Sequence, residues 1–135
     1  MSKYWARTVL VTGVLWAGIP PLWAHHSASA VFEMSKRISV TGTLTKVDWI
    51  NPHVVITLEG KGDVGKIQQW TFESNPPSWY QSVGLVRADL ARAIGQTITV
   101  EGMPAKNDTA YGYLQKIKLP DGTTLNLFTA PGKYK

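Results

Sequence analysis

The sequence contains no cysteine. This excludes a disulfide scaffold, a thiolate zinc site, an iron–sulfur cluster and a cysteine nucleophile. There is also no phosphate-binding glycine motif and no serine in a nucleophile-elbow pattern. Internal repeats and low-complexity segments are missing too. No apolar run reaches the roughly 20 residues that a membrane-spanning helix needs. Charge of one sign is not in great excess, with 14 Lys and Arg against 9 Asp and Glu. What remains is a chain of 135 residues, 44% hydrophobic, which is the size of one domain and too apolar for a disordered tail.

The first two dozen residues read as a separate object. Lys3 and Arg7 form a short basic region, and Thr8 to Ala24 is uncharged over 17 residues. Pro20-Pro21 breaks a helix there, and Ala24 offers a small residue at a cleavage position. This order is that of a secretory signal, with a retained anchor as the alternative. Cleavage after Ala24 leaves 111 residues beginning His25-His26-Ser27, with 12 basic and 9 acidic residues and a net charge of +3. An exported, periplasmic protein is expected, free of the membrane once the signal is removed.

The expected organisation is a signal at 1–24, an arm at 25–37, a β-barrel domain at 38–130 and a tail at 131–135. The arm has no period. Ile38 to Leu44 alternates apolar and polar, as does His53 to Glu59, with Val54, Ile56 and Leu58 on one side. Gly60 to Gly65 reads as a turn. Lys66 to Glu73 is the next strand, with Trp70 and Phe72 inward. Asn75-Pro76-Pro77 reads as a helix start capped by Asn75, and Gly84 as its stop. Val86, Leu90 and Ile94 suggest a second short helix ending at Gly95. Gln96–Met103, Tyr111–Leu119 and Thr123–Phe128 complete the strands.

Facing residues must share a side, which constrains register. Ile117 opposite Leu125 requires a three-residue Pro120-Asp121-Gly122 loop with Gly122 left-handed. Pairing Ile56 with Trp70 and Val54 with Phe72 satisfies both inner faces, and places His53 opposite Glu73. Three strands, helix, then two or three strands is the order of a mainly β, five- to six-stranded antiparallel barrel of the OB type, with one or two short helices between strands 3 and 4. A β-sandwich is the alternative.

All three histidines precede residue 54. His25 and His26 would start the mature chain, and His53 follows Asp48-Trp49-Ile50-Asn51-Pro52. By parity, His53 points away from Val54 and Ile56, and Pro52 stiffens its approach. An N-terminal His25 supplies an α-amine and an imidazole that can chelate one metal ion. His53 is the obvious third nitrogen. Nitrogen-only tetragonal ligation suits Cu(II). Glu73 is a candidate weak oxygen ligand, or the group that orients His53. Asn51, Asp48 and Trp49 surround the corner as supporting residues. The plainer account makes His25-His26 a polar start to the chain, and has His53 donate to a loop carbonyl near Asn51.

Other constellations carry less. Trp49, Trp70, Trp79, Tyr111 and Tyr113 suggest a stacking platform, but parity puts Trp70 in the core. Scattered lysines make no nucleic-acid stripe. Glu59, Glu73, Asp48 and Glu101 are not placed in pairs that would argue for acid–base hydrolysis.

Several segments together resemble one family. They are His25-His26-Ser27, Val40-Thr41-Gly42-Thr43-Leu44, Val47-Asp48-Trp49-Ile50-Asn51-Pro52-His53, Trp70-Thr71-Phe72-Glu73 and Leu119-Pro120-Asp121-Gly122. The chain resembles the DUF6152 family of small exported bacterial proteins over nearly all of residues 25–130. The family pattern follows His-His-Ser with an aromatic residue. This chain has Ala28 there, with Phe32 as the candidate replacement. The resemblance implies an exported single-domain β protein and supplies no activity. Two functions are therefore expected as alternatives. One is a copper-binding protein using His25, His26 and His53 for binding or delivery rather than turnover. The other is a metal-free module of the cell envelope that holds a small molecule or a partner protein.

Overall fold

The computed structural model describes residues 27–62, 65–107 and 109–128. The expected signal segment, His25, His26 and the expected tail lie outside the described residues. Strand β1 (Ile38–Trp49) is longer than its first alternating run, because its phase changes midway. Val40 and Leu44 are fully buried, after which Val47 and Trp49, of opposite parity, pack against the core. A bulge between Leu44 and Lys46 makes the change. Thr45 at the bulge donates its hydroxyl to the Thr57 carbonyl at 3.0 Å.

The bent β1 serves two neighbours. It pairs with β2 (Val54–Lys61) along residues 41–49 and with β4 (Thr97–Pro104) along residues 38–43. β2 continues into β3 (Ile67–Glu73), and β4 into β5 (Tyr111–Lys118). The order β3-β2-β1-β4-β5 closes through a β3–β5 pairing, and β6 (Thr124–Asn126) adds to β5. This is a small OB-type barrel with helices between its third and fourth strands. One correction concerns direction. The closing pair β3–β5 is parallel, so the barrel is mixed rather than antiparallel.

The final hairpin has the expected register, Ile117 opposite Leu125, with Gly122 at φ +88°. Asp121 accepts the Thr123 N–H at 2.8 Å, which lowers its carboxyl pKa. The β2–β3 register is two residues away from expectation. Ile56 faces Phe72, Leu58 faces Trp70, and Val55 rather than His53 faces Glu73. Parity permits both registers, and the longer run of β2 through Gly60 to Lys61 selects the observed one. Gly60 is therefore in a strand rather than a turn. It crosses Gly42 so closely that a Cβ on either would strike main chain.

The helices also differ in detail. α2 (Pro77–Ser82) is preceded by Pro76, and Asn75 makes no cap. It ends in a Schellman motif at Gly84, with Leu85 N–H to Tyr80 O and Gly84 N–H to Gln81 O. α3 (Arg87–Ala93) buries Leu90 and Ala93, while Val86 and Ile94 are 46% exposed. Val86 and Ile94 are the two cap residues, outside the helical turns, so of the three only Leu90 is turned inward by the helix. Ahead of the barrel, α1 (Ala28–Val31) and Phe32 form part of the arm.

Candidate functional site

The Trp49–His53 corner joins β1 to β2. Trp49 ends β1 opposite Val54, so residues 50–53 form the connecting loop. Pro52 has no N–H and follows Asn51 through a cis bond. Past this corner, Val54 N–H donates to the Asn75 carbonyl at 3.1 Å. That contact carries β2 alongside the end of β3 and sets the half-buried His53 ring against it.

His53 Nδ1 lies 2.6 Å from the carbonyl oxygen of Ser74. A carbonyl only accepts, so Nδ1 carries the proton and donates. In the neutral ring, the lone pair is therefore on Nε2, which makes no hydrogen bond among the described residues. Ser74 is fully buried, and its hydroxyl bonds the Tyr80 hydroxyl. Burial raises the Tyr80 pKa, and the Ser74 bond opposes that rise. The Trp49 ring meets Tyr80 edge-on, with centroids 5.3 Å apart. Two named aromatics and a buried serine thus support the backbone that fixes His53.

The residues flanking Ser74 look the other way. Glu73 accepts a hydrogen bond from the Tyr111 hydroxyl. Tyr113 donates to Asn75 Oδ1 at 2.8 Å, and Asn75 Nδ2 donates to the Leu127 carbonyl at 2.5 Å. Burial raises the pKa of both tyrosines, and the Glu73 carboxylate adds to the rise. Phe32 packs against both rings at 5.4 and 5.5 Å. The end of β3 therefore carries His53 through Ser74 and the arm through Glu73 and Asn75.

The expected site residues separate accordingly. Ser74, not Glu73, orients His53, because Glu73 is engaged by Tyr111. Asp48 faces Val55 and pairs with Lys46 at 2.7 Å, an exposed ion pair of small consequence. Asn51 is exposed, and Trp49 is half-buried under the corner. Among the described residues, no three His, Cys, Asp or Glu side chains gather for a metal ion. His25 and His26 lie outside those residues. Nothing in the sequence marked Ser74 or Tyr80. Each looked like a loop or helix residue, and only the β2–β3 register brings Ser74 to His53.

The aromatic set does not form one platform. Trp70 is 6% exposed in the core, and Tyr111 and Tyr113 enclose Phe32. A separate groove of about 570 Å³ lies between the helices and the β5–β6 hairpin. Leu85, Ala93, Leu119 and Leu125 line it, with Arg92 and Asp121 among its polar groups. Among the described residues, no helix is long and apolar enough to cross a membrane.

A family model described as a family of unknown function, DUF6152, matches residues 14–115. No curated protein matches the chain. The chain belongs to the DUF6152 family.

Proposed function

We propose that this DUF6152 member is an exported, periplasmic metal-binding protein. It holds copper between the His25 amine and imidazole, with His26 beside them, and Nε2 of His53. Its role is binding or delivery rather than turnover. The observation that carries this reading is the 2.6 Å bond from His53 Nδ1 to the Ser74 carbonyl. Metal-bound histidines almost always donate their second ring nitrogen to a carboxylate, carbonyl or water. That bond selects the tautomer and aims the remaining lone pair. The absence of cysteine excludes thiolate ligation, and nitrogen donors in a tetragonal arrangement suit Cu(II).

Calorimetric titration of correctly processed protein with Cu(II) tests the reading. Binding of a single ion per chain is expected. Affinity should fall strongly when one residue precedes His25, and again in His53→Ala. Equal affinity in the native and extended forms would remove the amine from the site.

The groove of about 570 Å³ supports a second reading, since small-molecule sites occupy roughly 300–1,000 Å³. On that reading the chain is a metal-free binding module of the envelope. Protein purified after copper supplementation would then carry no metal, and Arg92→Ala, in the groove, would disturb ligand binding instead.

A further inference from the structure

The groove of about 570 Å³ has two chemically different sides. On the helix side, Asp89, Arg92 and Ala93 recur at the spacing of one α3 face. On the other side are Leu119, Asp121 and Leu125 of the final hairpin. Leu85 and Ala93 are buried, and with Leu119 and Leu125 they make the apolar part of the lining. The charges in the lining do not cancel. Asp89 accepts from Arg92 through one oxygen and from the Val86 N–H at 2.9 Å through the other, so that pair is neutral as a unit. Arg92 uses one terminal nitrogen in the pair and keeps further N–H donors. Asp121 has no ion-pair partner among the described residues. It accepts the Thr123 N–H at 2.8 Å, which lowers its pKa and keeps it ionised at neutral pH.

We infer that the groove binds the free amino end of a short peptide whose first residue is apolar. The ammonium meets Asp121, a peptide carbonyl accepts from Arg92, and the apolar side chain lies against Leu85, Ala93, Leu119 and Leu125. This rests on the groove reading above and involves no part of the copper site. Charge complementarity selects the occupant. A purely anionic ligand brings a second negative charge to Asp121, while Arg92 is already neutralised by Asp89. A neutral apolar molecule strips water from the Asp121 carboxylate and gives it no partner, which is costly. A simple apolar amine matches Asp121 but leaves the Arg92 donors without an acceptor. A peptide amino end answers all three features at once. The volume lies in the range of drug-sized ligands, which suits two or three residues better than a single amino acid.

The test is calorimetric titration of the processed chain with leucyl-leucine amide, its N-acetyl form and free leucine. Leucyl-leucine amide should bind at a single site. Acetylation should weaken binding about fivefold, the upper range for losing a solvent-accessible ion pair. Asp121→Asn keeps an oxygen for the Thr123 N–H, so the hairpin turn survives. It should weaken the free-amine peptide about as much and leave the acetylated one unchanged. Equal binding of the two peptides, or unchanged affinity in Asp121→Asn, overturns the inference. So does free leucine binding more tightly than the dipeptide, which would make the ligand an amino acid. The neutral dye phenylnaphthylamine tests the groove itself, in wild type and in Thr123→Trp, which adds an indole to the lining. If the dye binds wild type and is expelled by Thr123→Trp while no peptide binds, the groove reading stands and this inference falls. If neither dye nor peptide binds, both fall.

Discussion

His53 and Ser74, 21 residues apart in sequence, are joined by a 2.6 Å hydrogen bond from the imidazole Nδ1 to a main-chain carbonyl. The acceptor belongs to the backbone, so no substitution at Ser74 deletes it. What a substitution can change is the support beneath it. The Ser74 hydroxyl and the Tyr80 hydroxyl are each other's partner in a fully buried setting.

Ser74→Ala therefore leaves the Tyr80 hydroxyl buried without a partner. A loss of about 1–3 kcal/mol is expected, the cost of an unsatisfied buried polar group. Tyr80→Phe orphans the serine in the same way. The double variant Ser74→Ala, Tyr80→Phe should lose less than the sum of the two singles. Denaturant unfolding of all four proteins checks this, and strict additivity would show that the two hydroxyls do not interact.

Phe32→Ala removes a ring from a small cluster with Met103 and Ala105, flanked by Tyr111 and Tyr113. Phenylalanine truncation in a packed interior costs about 3–5 kcal/mol. Melting measurements should show a large drop. A drop of under about 1 kcal/mol, the scale of a conservative core swap, would mean that the arm is not part of the folded unit.

Gly42→Ala tests the crossing of β1 and β2. A Cβ at Gly42 meets the Glu59 carbonyl and the Gly60 Cα, both main-chain atoms. Neither can swing aside as a flexible side chain would. The expected loss is about 2–3 kcal/mol, at the upper end of overpacking penalties. Ser39→Ala, on an exposed position of the same strand, should be nearly neutral by comparison.

Alkaline titration addresses the tyrosines. Tyr80, Tyr111 and Tyr113 have folded pKa values raised above 10.0, chiefly by burial. The folded state favours their neutral form. Their contribution to stability is thus fully present below pH 10 and is lost as the pH climbs through the raised values. Phenolate absorbance should show these three ionising above pH 10, together with loss of tertiary structure. Ionisation near 10 in a still-folded protein would contradict the packing of Tyr111 and Tyr113 around Phe32.

The sequence made the barrel legible because alternation, glycines and prolines act locally. Pro120-Asp121-Gly122 specifies its own hairpin, and Ile117 meets Leu125 as parity requires. Parity cannot choose between registers two residues apart, and it allows Ile56 opposite Trp70 as readily as the observed Phe72. That shift moved Glu73 away from His53 and brought Ser74 to it. The Leu44–Val47 phase change signals a bulge, but it is easily mistaken for the end of a strand. The parallel β3–β5 closure depends on contacts distant in sequence, which local pattern does not encode, and the Ser74–Tyr80 pair joins a strand end to a helix, where neither periodicity applies across the turn.

We propose that Nε2 of His53 is a ligand to copper also held by the N-terminal nitrogens. The most direct measurement is the nitrogen hyperfine structure in the electron paramagnetic resonance spectrum of Cu(II)-loaded processed protein, wild type against His53→Ala. An all-nitrogen tetragonal signal is expected in wild type, and the loss of one coupled nitrogen in the variant. An identical spectrum in the two proteins would contradict it.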